Sequence, residues 1–422
     1  MVFETFSEAQ SMLLWASFAI ALVMGAVVNK TNFCTMGAVS DWVNMGDTGR
    51  FRAWLFAIAV ALLGVTLLEK GGLVNVSQSF PPYRGGSLAW AEHLFGGLMF
   101  GVGMTLASGC GNKCLIRIGG GNIKSILVLL IIGVIAYFMT NPFPGSDNTL
   151  YSVLFYGWTN PLSINMGSAQ DLGTVLGGDN AATARLIIGL LLALGLVAYV
   201  FKSAGFRSSF DNILGGLVVG LAVVALWYVS SNVGVTIPDE ETTYTLSQYY
   251  GEWDMLAESE EGKPAAGAPL AAQSFTFINP MGQTLGYAAG GFNRALLTVG
   301  IMALFGVIAG SLLWSVVSRG FRIEWFSSVK DFSTHVIGAV LMGFGGVLAM
   351  GCTIGQGITG VSTLAIGSLI TFAAIVIGSA LTMKVQYYRM VYENEASFAG
   401  ALLSALADMR LLPNGLRKLE KV

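Results

Sequence analysis

The chain of 422 residues is 54% hydrophobic and only 11% charged, with a mean hydropathy of +0.68. Soluble domains carry about 25% charged residues, so this composition excludes a water-soluble enzyme or binding module and indicates an integral membrane protein. The formal net charge of −2 offers no basis for binding nucleic acid, and four cysteines in apolar surroundings are too few for a disulfide scaffold.

Glu4 and Glu8 stand where a signal peptide would be basic, and no small-residue cleavage site follows the first apolar run, so that run reads as a span rather than a leader. The apolar runs predict nine membrane helices, at 11–29, 52–69, 91–109, 122–141, 183–201, 209–230, 294–317, 333–350 and 361–383. They are continuous rather than alternating, which rules against a β-barrel. Basic residues follow every odd-numbered span: Lys30, Arg50 and Arg52; Lys113, Arg117 and Lys124; Lys202 and Arg207; Arg319, Arg322 and Lys330; then Lys384, Arg389 and the tail with Arg410, Arg417, Lys418 and Lys421. Residues 142–184 hold no Lys or Arg, and 231–293 holds only Lys263 among Asp239, Glu240, Glu241, Glu252, Asp254, Glu258, Glu260 and Glu261. The 70–90 link, with Lys70 and Arg84, is ambiguous. Lys and Arg concentrate on the cytoplasmic side, so the pattern predicts an outside N-terminus and a cytoplasmic C-terminus in the inner membrane.

A repeat runs through this frame. His93, Gly96, Gly101, Gly103, Leu106, Ala107, Gly109 and Cys110 recur 242 positions later as His335, Gly338, Gly343, Gly345, Leu348, Ala349, Gly351 and Cys352. The same offset pairs Arg52-Ala53-x-Leu55 with Arg294-Ala295-x-Leu297, and Gly64 with Gly306. Four spans fall in 11–141 and four in 209–383, and the odd span between them turns the second half over. Inverted-topology repeats of this kind place a solute site near the midplane where the halves meet. The expected divisions are a first repeat over 1–141, an outer loop and linker helix over 142–208, the first helix of the second repeat over 209–230, an outer insertion over 231–293, the rest of the second repeat over 294–383, and a cytoplasmic tail over 384–422. Within the insertion, Tyr244, Tyr249, Tyr250 and Trp253 predict local order. Residues 397–407 are apolar but too short to span, so they are expected to lie on the membrane or the protein surface.

Glycines crowd both copies around the cysteine, in Ser108-Gly109-Cys110-Gly111 and Met350-Gly351-Cys352-Thr353. Glycine costs a helix interior about 1 kcal/mol relative to alanine but lets helices approach closely. Such clustering predicts helices that break and re-enter as short hairpins. Broken backbone at membrane depth persists only where protein or a cavity satisfies it, so Cys110 and Cys352 should line something. No Asp, Glu, Lys, Arg or His lies between Leu94 and Asn112 or between Val336 and Met383. An anion there would be held by thiols, which are soft and polarizable, and by backbone N–H groups at glycine turns and half-helix starts. The donors in question belong to Gly109, Gly111, Asn112, Gly351, Thr353, Gly355 and Gln356.

Cys34, in Asn32-Phe33-Cys34-Thr35-Met36-Gly37, is a third candidate near the cytoplasmic mouth; the second half offers the loose counterpart Phe277-Ile278-Asn279-Pro280-Met281-Gly282, without a thiol. Cys114 has no equivalent and reads as packing. His93 and His335 read as interfacial hydrogen-bonding groups. Lys113 and Arg117 have two readings, topology or attraction of anions to the inner mouth. There is no Walker sequence, dinucleotide fingerprint or zincin motif, and no set of metal ligands, so no cofactor is implied.

At these residues the chain resembles the YeeE/YedE family of sulfur-compound transporters, through Asn32-Phe33-Cys34-Thr35-Met36-Gly37-Ala38, Ser108-Gly109-Cys110-Gly111 and Met350-Gly351-Cys352-Thr353-Ile354-Gly355-Gln356-Gly357. The resemblance implies an hourglass-shaped, all-α membrane protein with short embedded hairpins that passes thiosulfate between thiols at Cys34, Cys110 and Cys352. Cys114 and the inserts at 142–182 and 231–293 depart from the family pattern. The leading expectation is therefore a non-enzymatic importer of thiosulfate or a related sulfur anion. Two rivals stand beside it. One is a membrane sulfurtransferase that forms a cysteine persulfide, with Cys114 beside Lys113 and Arg117 best placed, and hands sulfur to a cytoplasmic carrier protein. The other is a passive channel for a neutral solute.

Overall fold

The computed structural model describes residues 1–237, 242–256, 263, 264, 266–392 and 396–420. Among them, nine helical segments are long and apolar enough to cross a membrane, and the chain is an all-α multi-pass membrane protein. Asp239, Glu240, Glu241, Glu258, Glu260 and Glu261 of the acidic insertion lie outside the described residues.

The helices are α1 (Phe6–Thr31), α2 (Thr35–Ser40), α3 (Gly49–Lys70), α4 (Trp90–Leu106), α5 (Gly111–Gly119), α6 (Ile123–Thr140), α7 (Ala181–Phe201), α8 (Phe210–Asn232), α9 (Ile278–Ala289), α10 (Val299–Val317), α11 (Val329–Leu348), α12 (Ile366–Val391) and α13 (Phe398–Asp408). Each predicted span has its helix. The largest differences are at α12, expected over 361–383 and found over Ile366–Val391, and at α10, where the sequence places the start at 294. Arg294–Leu296 instead forms a separate 3₁₀ turn, and Thr298 caps the helix by accepting from the Ile301 N–H at 3.1 Å. The Arg-Ala-x-Leu match thus falls inside α3 in one half and before α10 in the other.

α4 and α11 lie against each other at the centre, with backbones in direct contact. A Cβ added at Gly96 would stand 2.7 Å from the Ala349 nitrogen and 2.8 Å from the Gly345 oxygen; one added at Gly338 would stand 2.6 Å from both the Ala107 nitrogen and the Gly103 oxygen. Ala349 and Gly345 are Ala107 and Gly103 shifted by 242, as Gly338 is Gly96 shifted by 242, so the contact is reciprocal. The surrounding packing follows the same exchange. α4 packs on α12 and α11 on α6; α1 packs on α10 and α8 on α3; α5 lies on α10 and α6, and the segment after Cys352 lies on α3 and α12. α7 stands apart, leaning on α3 with Leu191, Leu194 and Ile187 exposed on an apolar face suited to lipid.

His93 and His335 make the hydrogen bonds expected of them, through Nδ1 to Thr371 Oγ1 and to the Asp331 carbonyl, each at 2.8 Å. In the insertion, Tyr249, Tyr250 and Trp253 gather on Phe6 with ring centroids 5.3–6.0 Å apart. α13 covers the end of α12, burying Ala401 and Ala405 against Tyr388.

Overpacking a tight core costs about 1–3 kcal/mol per site. Gly103→Leu and Gly345→Leu, which force a side chain into opposing backbone, should each lower stability by about 3 kcal/mol. Gly195→Ala on α7, with open space at its Cβ, should be neutral or slightly stabilising. Thermal melting of purified variants in detergent checks the contrast; equal melting of all three would contradict the central contact.

Candidate functional site

Both central helices stop in the same way. Ser108 and Met350, equivalent residues, each take a left-handed conformation with φ +57. Just beyond, the Gly109 N–H donates to the Met104 carbonyl and the Gly351 N–H to the Gly346 carbonyl, both at 2.8 Å, closing the last turn. The chain then starts helix again at once, with Cys110 capping α5 and Cys352 preceding a stretch helical from Thr353 that continues as a π turn over Gly355–Gly360.

Cys34 repeats the arrangement as the N-cap of α2. In all three places the cysteine carbonyl accepts the first helical bond, from Ala38 N–H at 2.9 Å, Cys114 N–H at 3.0 Å and Gln356 N–H at 2.8 Å. The side chain is the unusual part. N-caps are normally Ser, Thr, Asp or Asn, whose oxygens satisfy the free N–H groups of the first turn. Here sulfur substitutes, with contacts of 3.4 Å from Gly37 N–H to Cys34 and from Gly355 N–H to Cys352. Sulfur is a weak acceptor, so these N–H groups keep much of their donor capacity.

The three thiols form one series. Cys110 stands within electrostatic reach of both Cys34 and Cys352, and its sulfur lies alongside the Thr353 hydroxyl without the geometry of a full hydrogen bond. All four cysteines are free and buried, at 5% exposure for Cys34, 2% for Cys110, 1% for Cys114 and 0% for Cys352. Thr353 Oγ1, Asn112 Oδ1, Thr276 Oγ1 and Thr35 Oγ1 are buried beside these turns without a hydrogen-bond partner among the described residues. A buried polar group left unpaired costs about 1–3 kcal/mol, so their convergence around the thiols is a feature that needs a function. Gln356 differs. Its Nε2 donates to the Ala349 carbonyl at 2.7 Å and its Oε1 accepts from Ser368 Oγ at 2.6 Å, which pins the turn between α11 and α12.

The two ends of the series differ in charge. Around Cys34, the Arg50 guanidinium packs over Gly37 while paired with Asp41, and Lys113 Nζ donates to Asn32 Oδ1 at 2.5 Å. Among the described residues no cation packs on the Cys352 turn in the same way; Thr276 fills the space beside Gly351 and Gly355, and the buried Tyr83 lies within electrostatic reach of Cys352. Sequence reasoning missed Thr276, Arg50 and Tyr83. Thr276 was within reach, because it follows Cys34 by the same 242 positions, whereas the Phe-x-Asn-x-Met-Gly likeness drew attention to 277–282.

The profile of a family described as sulphur transport matches residues 30–381, most of the chain and all of these turns. The chain belongs to the sulphur-transport family. Two relatives named thiosulfate transporter TsuA resemble it along nearly their whole length. The Escherichia coli (strain K12) protein is 23% identical over 361 residues, covering 82% of this chain and 87% of its own. The Spirochaeta thermophila protein is 22% identical over 378 residues, covering 87% of this chain and 97% of its own. Three of this chain's four cysteines, Cys34, Cys110 and Cys352, stand at helix starts, and all four are buried.

Thiols this buried should resist bulky reagents. In detergent, a polyethylene-glycol maleimide should label Cys110 and Cys352 only slowly, while unfolding in dodecyl sulfate should expose all four thiols for stoichiometric modification. Rapid native labelling of either residue, read by gel shift on single-cysteine variants, would contradict the burial described.

Proposed function

We propose that the chain imports thiosulfate, or a related sulfur-containing anion, across the inner membrane by passing it between cysteine thiols. The observation that carries this reading is the series of three buried thiols at helix starts, with Cys110 in reach of both others. Family membership and relatives named thiosulfate transporters support it.

An isolated charge in a low-dielectric interior would cost tens of kcal/mol, so the passage must offer donors at each step. Helix starts supply them, through free N–H groups and a partial positive charge of about +0.5. The anion enters from the outer face, meets Cys352 with the N–H groups of Thr353 and Gly355, and passes to Cys110 with Gly111 and Asn112; the Gly109 and Gly351 N–H groups, expected as donors, are committed to the Met104 and Gly346 carbonyls and shape the turns instead. It leaves past Cys34, where Lys113 and Arg50 favour an anion on the inner side. Gln356 serves by holding the turn. Thiols contact the terminal sulfur as soft, weak donors, and no covalent bond forms or breaks. The two halves act as inverted repeats, which the reciprocal α4–α11 contact and the matching packing around it support. The N-terminus lies outside and the C-terminus in the cytoplasm, as the basic connections indicate.

A persulfide hand-off to a cytoplasmic carrier would need an accessible, ionisable thiol. The burial of all four cysteines, Cys114 included, favours the relay. Uptake of labelled thiosulfate into cells lacking other sulfur routes tests it. Cys110→Ala and Cys352→Ala should each reduce uptake at least tenfold, Cys34→Ala by less, and Cys114→Ala hardly at all. Undiminished uptake by the first two variants would reject the relay, and a persulfide adduct required for turnover would favour the sulfurtransferase.

A further inference from the structure

Near the Cys352 turn, two further uncharged polar groups join Thr276 in being buried without partners among the described residues. Tyr83 is 2% exposed and its hydroxyl makes no hydrogen bond among the described residues; the same holds for the Trp227 indole N–H, at 0% exposure, and for Thr276 Oγ1. The Tyr83 and Trp227 rings meet edge to face, with centroids 6.4 Å apart.

The backbone shows why these residues share one place. Ser274 Oγ donates to the Val223 carbonyl at 2.9 Å and Ser230 Oγ to the Gln273 carbonyl at 2.7 Å. Positions 223, 227 and 230 lie on one face of α8, so Trp227 faces the 273–277 segment that carries Thr276. Phe80 N–H donates to the Ala272 carbonyl at 2.9 Å, tying the 70–90 link to the same segment. Arg84 holds the other side, donating from Nε to the Thr363 carbonyl at 2.8 Å and pairing with Glu69, so its charge is spent on the scaffold. Thr276 in turn abuts the Cys352 turn, where a Cβ on Gly355 would stand 2.5 Å from Oγ1.

We propose that Tyr83, Trp227 and Thr276 form a charge-free oxygen-binding station next to Cys352, which orients the anion with its oxygens on these donors and its terminal sulfur toward the thiol. This rests on the transport reading above and deepens it. The chemistry suits a passing dianion. Hydrogen bonds from neutral donors offset part of the lost hydration, and with no unpaired cation among the described residues of the station the anion is not trapped before the constriction. Trp N–H can only donate, so that position selects a hydrogen-bond acceptor such as an anion oxygen and rejects a donor. The link that carries Tyr83 therefore takes part in selection rather than only joining α3 to α4.

Equilibrium binding and uptake, measured side by side on purified protein and on proteoliposomes, test the station. Tyr83→Phe and Trp227→Phe keep the rings and remove one donor each. Each should weaken thiosulfate binding about tenfold and raise the half-saturating concentration for uptake to match, with maximal uptake and melting temperature nearly unchanged. Unchanged binding in both variants overturns the proposal. So does a fall in melting temperature and maximal uptake at constant affinity, which would mark the residues as packing alone. A wild-type protein that binds thiosulfate but carries none would sink the transport reading while leaving the station standing; one that neither binds nor carries it would overturn both.

Discussion

The backbone contact between α4 and α11 is the constraint on which the rest of the molecule depends. Two helices approach this closely only when the facing positions lack side chains, and Gly96, Gly103, Gly338 and Gly345 provide that on both partners. The contact has a cost, since glycine weakens each helix by about 1 kcal/mol per residue. It also has a consequence. Because the same residues meet in reciprocal fashion, the two helix ends, and with them Cys110 and Cys352, take equivalent places in the packing.

Those ends convert a packing device into a chemical one. A helix that stops and restarts inside a membrane exposes N–H groups that must be satisfied. An oxygen cap would satisfy them and seal the turn. Sulfur at 3.4 Å does so only partly, at Cys34 and Cys352 alike, and the neighbouring hydroxyls of Thr353, Thr276 and Thr35 add further unpaired capacity. The resulting lining is rich in donors and poor in charge. Among the described residues the cations lie near Cys34 rather than Cys352, as Arg50, paired with Asp41, and Lys113.

The asymmetry between the halves is as informative as the symmetry. Cys34 and Thr276 occupy corresponding positions, yet one is a thiol beside cations and the other a hydroxyl against the glycines of the Cys352 turn. The central glycines are alike in the two copies, while these two positions differ.

By itself the sequence determined the membrane class, the nine spans and the two glycine-embedded cysteines at a fixed offset, because hydropathy, glycine content and repeats are properties of local composition. It also made Cys34 a candidate. Only the tertiary structure decided that all three cysteines cap helix starts, that the Gln356 amide is committed to Ala349 and Ser368, and that α10 begins at Val299. Tyr83 and Trp227 carry no local signal, since one sits in an irregular link and the other in an ordinary apolar helix. They meet because the 272–277 segment is bonded to both, and contacts between elements so distant in the chain are set by packing, which no window of sequence records.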